Sequence, residues 1–139
     1  MLKFSLLAVA TFTALSAPAV AQDAAKGESE FKKCKACHSI IADDGTAIQK
    51  GGKVGPNLYG VIGRPVASTD FNYGDGIKAV GAKGVVWDQT NLAAYLVDPT
   101  KWIDEETGDT ALKSKMSFKL AKGGEDVAAY LASVGPAAE

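Results

Sequence analysis

Cys34-Lys35-Ala36-Cys37-His38 is the stretch that governs the reading of the whole chain. Two thiols separated by two residues, with an imidazole immediately after the second, form the pattern of covalent haem attachment. The spacing lets the sulfurs meet two neighbouring vinyl groups and brings the histidine beneath the iron. The sequence holds two cysteines and one histidine in all, so every thiol and imidazole it has lies in this motif. A structural zinc site needs four ligands, usually two Cys-x-x-Cys pairs or one pair with two histidines, and the chain cannot supply them. A dithiol oxidoreductase would set Cys-x-x-Cys in a βαβ context, and no such pattern surrounds Cys34. A Cys34–Cys37 disulfide would close a very short loop and restrain little of the chain.

The first residues read as a targeting segment. Met1-Leu2-Lys3 is a short basic start, Phe4 to Leu15 is apolar, and Ala19-Val20-Ala21 offers a small-residue cleavage site. The apolar run falls short of the roughly 20 residues that span a bilayer, and Ser16-Ala17-Pro18 breaks it. A cleaved signal peptide over 1–21 and a single mature domain over 22–139 are therefore expected, with no membrane anchor. Cleavage removes Met1, so Met116 becomes the sole methionine. It also removes Lys3, one of 15 basic residues, leaving 14 against 16 acidic residues and a net charge of −2. Such a balance excludes a polybasic nucleic-acid binder.

Along the mature chain, Asp23 is placed to cap a helix from about Ala24 towards Cys34, which should deliver the motif at its C-terminal end. Gly27 and Phe31 share one face of it. A helical glycine costs up to about 1 kcal/mol against alanine, and close approach of a second helix is a reason to tolerate it. Residues 40–53 read as loop, with turn chemistry at Asp43-Asp44-Gly45. Gly55-Pro56-Asn57-Leu58-Tyr59-Gly60 is too rich in glycine for a helix, and it lacks the lysine and hydroxyl of a phosphate loop. A short helix is expected over Asp75 to Ala82. Val85-Val86-Trp87 has strand character without an evident partner. Asp88 caps a firmer helix carrying Leu92, Tyr95 and Leu96, which Pro99 stops. From Thr100 to Lys122 the chain reads as polar and irregular. The last helix begins near Gly124 with acids in its first turn, shows Val127, Tyr130, Leu131 and Val134 as one stripe, and ends at Gly135-Pro136. These elements define an all-α, single-domain protein. Its protein core is thin, since so few short helices bury little apolar surface at about 25 cal/mol per Å². An apolar, covalently tied haem would fill the centre.

Iron with one open face would suggest a haem enzyme or a ligand sensor, peroxidase-like, whereas iron closed on both faces suggests electron transfer. Met116 bears on this choice. It is the one thioether left, and it sits in a lysine-rich polar loop instead of on an apolar helical face, where core filling would place it. A soft thioether on the iron favours Fe(II) and raises the potential.

Taken together the residues resemble the class I c-type cytochromes, and among them the long bacterial cytochromes c2. The likeness runs from Gly27 to Val134. It rests on Gly27, Phe31, the attachment motif, Gly55-Pro56-Asn57-Leu58-Tyr59-Gly60, Gly63-Arg64, Trp87, Tyr95-Leu96, Pro99, Lys115-Met116 and Tyr130-Leu131. The resemblance implies a cytochrome c fold with its N- and C-terminal helices packed together and one haem c bound through Cys34 and Cys37. It implies His38 and Met116 as axial ligands, with the Pro56 carbonyl accepting a hydrogen bond from the other His38 ring nitrogen. Arg64, Tyr73 and Trp87 match positions that hold haem propionates, and Tyr95 matches a residue near the methionine sulfur. Two segments, His38 to Pro56 and Pro99 to Met116, are longer than in short mitochondrial relatives.

The function so implied is that of a monomeric periplasmic electron carrier that performs no bond chemistry. It would link a cytochrome bc-type complex to a reaction centre, a terminal oxidase or a denitrification reductase. Lys32, Lys35 and Lys53 flank the attachment region, and Lys113, Lys115 and Lys119 flank Met116. An acidic protein can thus present a basic front that steers it to acidic membrane redox complexes.

Overall fold

The computed structural model describes residues 22–136, and the expected signal peptide lies outside them. Helix α1 (Ala24–Phe31) starts at Asp23, whose carboxylate accepts the backbone N–H groups of Ala25 and Lys26 at 3.0 and 3.1 Å. Those donors have no partner within the helix, which is why an acid is favoured there. The helix stops three residues before Cys34. The attachment motif lies in the tight turns that follow, where the Cys34 N–H donates to Phe31 O and the His38 N–H to Cys34 O.

A short antiparallel ribbon, β1 (Ile40–Ile41) with β2 (Ala47–Gln49), occupies part of what the sequence presents as loop. Its turn is closed by Asp44, whose carboxylate accepts the Thr46 N–H at 2.8 Å. Gln49 at the end of β2 donates to the Tyr130 hydroxyl at 2.9 Å, so the ribbon is tied to the last helix.

Helix α2 (Asp75–Ala82) forms where expected and buries Val80. Val85-Val86-Trp87 does have a partner, the segment around Arg64: Val66 N–H donates to Val85 O, and Trp87 N–H to Arg64 O. This pairing brings Arg64 and Trp87 side by side in the chain's fold. Helix α3 (Gln89–Val97) starts in a reciprocal cap between Asp88 and Asn91.

The segment after Pro99 departs most from the sequence reading. Pro99 ends α3, but it is also the first residue of a further helix, α4 (Pro99–Thr107), capped by Asp98. Proline suits that position because its missing N–H would have no partner there. Trp102 and Ile103 are the buried side chains that fasten α4, and the rest of its surface is polar.

Helix α5 (Gly124–Val134) crosses α1, and the two form the most extensive helix pair of the fold. A Cβ on Gly27 would overlap the Asp126 carbonyl and come within 2.8 Å of the Tyr130 Cβ. The glycine therefore sets how closely the helices approach. Phe31 packs against Tyr130 with ring centroids 5.8 Å apart. One apolar cluster unites Phe31, Ile40, Val80, Trp87, Leu92, Leu96, Ile103, Val127 and Leu131. Among the described residues no helix is long and apolar enough to cross a membrane.

Candidate functional site

The helices do not close on one another at the centre. They surround a cavity of about 370 Å³ whose wall includes Cys34, Cys37, His38, Pro56, Arg64, Tyr73, Trp87, Tyr95 and Met116. All nine residues singled out in the sequence thus meet at one place. The volume falls within the range of about 300–1,000 Å³ usual for small-molecule and cofactor sites. Apolar side chains from α1, α3 and α5 complete the lining, among them Phe31, Leu92, Leu96, Val127 and Leu131.

His38 is fixed from behind. Its Nδ1–H donates to the Pro56 carbonyl at 2.8 Å, which leaves Nε2 as the nitrogen with a free lone pair. Burial pushes the imidazole below its ordinary pKa, with the Pro56 bond opposing, so the neutral, ligating form is favoured at neutral pH. A Cβ on Gly55 would overlap the His38 ring, and glycine there is what lets the backbone lie flat on the imidazole. Burial first, then the charge of Glu30, pushes the Cys34 thiol up to about 11, while Cys37 is exposed.

Arg64 spends two of its five N–H donors on backbone carbonyls, Tyr59 O at 3.1 Å and Asn57 O at 3.3 Å. The others make no hydrogen bond among the described residues. The Tyr73 hydroxyl bonds Thr69 Oγ1 at 2.6 Å, and the Trp87 indole N–H makes no hydrogen bond among the described residues. Tyr95 is half-buried, and desolvation raises its phenol pKa; its hydroxyl pairs with Ser114 Oγ at 3.3 Å. Trp87, Tyr95 and Trp102 form an aromatic cluster in which the two indoles stack at 5.0 Å and Tyr95 meets both edge-on. Sequence reading passed over Trp102, whose position became visible only with α4, and Ser114, a hydroxyl two residues before the methionine.

Met116 is held from both sides of the chain. Its N–H donates to Ser114 Oγ at 3.1 Å. Beyond it the Leu120 N–H donates to Leu96 O at 2.7 Å, and Lys119 pairs with Asp98 at 2.6 Å. The cavity reaches solvent where Val54 and Phe118, which line it, are 77% and 41% exposed. Two thiols on the wall, an oriented imidazole, apolar surfaces and spare cationic donors fit a haem tethered in this space with one edge towards solvent. Cys34 and Cys37 would carry the thioether links.

The chain is 58% identical over 136 residues to cytochrome c2 of Rhodobacter capsulatus, a match covering 96% of this chain and 98% of that protein. It is 54% identical over 140 residues to cytochrome c-550 of Paracoccus versutus, covering 97% and 91% respectively. The structure of ferric cytochrome c-550 from Paracoccus versutus superposes with a TM-score of 0.81 at 56% identity, over 84% of this chain and 100% of that one. No protein-family model matches the chain. Site and likeness together define a mono-haem c-type cytochrome, a carrier of electrons with Cys34 and Cys37 as its attachment pair. Within that class the chain belongs to the cytochrome c2 family.

Proposed function

We propose that the protein is exported by cleavage after Ala21 and shuttles single electrons in the periplasm, from a cytochrome bc-type complex to a reaction centre, a terminal oxidase or a denitrification reductase. The observation that carries this reading is that one cavity holds both His38 and Met116. From two distant segments the chain would supply a nitrogen and a sulfur ligand, which would leave no open position for a substrate. Bound through Cys34 and Cys37, the haem supplies the one-electron Fe(III)/Fe(II) couple. His38, oriented by its bond to the Pro56 carbonyl, would hold the iron from one side, and Met116 would hold it from the other. Arg64, Tyr73 and Trp87 would donate to the propionates, which would be costly to bury unpaired. The apolar lining disfavours the extra charge of Fe(III) and so raises the potential. Retention of both ligands in both redox states would keep the reorganisation of the site small.

Partners would approach at the side where Val54 and Phe118 meet solvent. Lys32, Lys35 and Lys53 make no ion pair among the described residues. Lys113 and Lys115 donate to the backbone carbonyls of Thr110 and Asn72, which leaves their charges uncompensated. Lys119 differs, because Asp98 offsets it. The basic front is thus read as the first five of these six lysines.

Stopped-flow reduction of the ferric holoprotein by a purified bc-type complex tests the proposal. Reduction should be fast at low salt and slow steeply as ionic strength rises. A rate that stays slow at every ionic strength would refute this partnership, and a rate indifferent to salt would refute the basic front. Exported protein that retains 1–21 would refute the cleavage.

A further inference from the structure

Helix α4 does more than fill space beside Trp87. Its second residue, Thr100, lies outside the cavity wall, yet its Oγ1 accepts the backbone N–H of Ser114 at 3.1 Å. Ser114 is a junction. Its Oγ accepts the Met116 N–H at 3.1 Å and pairs with the Tyr95 hydroxyl at 3.3 Å. Neither bond can hold its direction unless the Ser114 backbone is itself fixed. No other hydrogen bond of the Ser114 N–H is present among the described residues. The segment from Gly108 to Ser114 has no helix or strand of its own to fix it.

We infer that Thr100 is a positioning residue for Met116: by holding the Ser114 N–H from the first turn of α4, it fixes the turn from which the methionine reaches the cavity. The inference rests on the reading of Met116 as an axial ligand. Thr100 is not itself part of the cavity wall, and its hydroxyl meets the wall only at the backbone of Ser114, so it acts through Ser114. Loss of its hydroxyl leaves the Ser114 N–H half-buried without a partner, and the loop then exchanges that bond for one with water by moving outward. Each such excursion carries Met116 away from its place and exposes the iron to other ligands. The net worth of a hydrogen bond of this kind corresponds to a factor of about 2 to 10 in the population of the open loop.

Titration of the ferric holoprotein with imidazole reads that population, because imidazole competes with the methionine. Thr100→Val keeps the shape and removes the acceptor, and Thr100→Ala is a second variant with good helix propensity. Both should bind imidazole about 2- to 10-fold more tightly than the wild type, while Thr100→Ser restores wild-type affinity. A merely structural role for Thr100 would lower the denaturant midpoint and leave imidazole affinity unchanged. Wild-type affinity in Thr100→Val and Thr100→Ala overturns the inference, as does a Thr100→Ser variant shifted as far as they are. Met116→Ala keeps the two failures apart. If it retains the sulfur-to-iron band of the wild type, the ligand reading itself falls. If it loses the band while the Thr100 variants behave as wild type, only the inference falls.

Discussion

At the scale of single residues the site depends on what glycine and a carbonyl do for one imidazole. Pro56 O fixes the His38 tautomer from 2.8 Å, and Gly55 leaves room for the ring where a methyl group would overlap it. Gly55→Ala must therefore tilt the imidazole or push back the loop. The holoprotein is expected to lose about 1–3 kcal/mol of stability, the usual cost of overpacking a filled site. Guanidinium unfolding would show the loss, and a shifted reduction potential would show that the histidine itself has moved. The motif and Met116 stood out in the sequence because their chemistry is rare and their spacing is specific, whereas Pro56 and Arg64 were singled out only through the resemblance to c-type cytochromes. Thr100 and Ser114 did not stand out. They are 14 positions apart, and nothing in a serine or a threonine announces which distant backbone group it will meet.

At the scale of elements, the crossing of α1 and α5 and the junction of α3 with α4 carry the structure. Gly27→Ala would drive a methyl group into the Asp126 carbonyl, and a loss of about 1–3 kcal/mol in denaturant unfolding is expected. Asp98 does two things at the other junction: it caps α4 and it binds Lys119 across the base of the Met116 loop. The Lys119 hydrogen bond, and then the backbone N–H of Lys101, hold its carboxyl below the ordinary aspartate value. A carboxylate with a depressed folded pKa contributes stability above its unfolded pKa, and loses it as pH falls through the folded value. Asn still caps a helix but neither titrates nor binds Lys119 as an ion. Wild type should accordingly be more stable than Asp98→Asn above about pH 5, with the gap closing in the acid range below the ordinary aspartate value. Thermal unfolding across that range measures it, and a gap independent of pH would contradict the assignment.

Four of the five helices were legible at this scale, from caps and apolar spacing. Helix α4 was hidden by Pro99, which reads equally as the end of one helix and the start of the next, and by a buried face of only Pro99, Trp102 and Ile103. The ribbon of β1 and β2 was hidden because two- and three-residue strands are too short to show alternation. The helix expected to carry the attachment motif ends at Phe31, where the N–H groups of Lys33 and Cys34 reach back three residues instead of four and tighten the chain into turns.

At the scale of the whole molecule, the cavity in the middle of the apolar cluster means that the fold is built around something other than its own side chains. Haem-free chain should be mostly unfolded, with poor dispersion in its NMR spectrum, and a well-dispersed spectrum would contradict this. Charge is also arranged at this scale. Asp104, Glu105, Glu106 and Asp109 gather on α4 and just beyond it, away in sequence from the lysines that flank the motif. Replacing Lys53 by Gln should slow reduction by a partner at low salt. Joint replacement of Asp98 by Asn and Lys119 by Gln removes a neutral pair and should leave that rate nearly unchanged.

The central claim is that His38 and Met116 close the iron on both faces, so that electrons are all the site can exchange. The absorption spectrum of the ferric wild-type holoprotein tests it most directly. The account predicts the weak near-red band of sulfur-to-iron charge transfer in the wild type and its loss in Met116→Ala. A wild-type ferric protein without that band, or a Met116→Ala variant that keeps it, would contradict the claim.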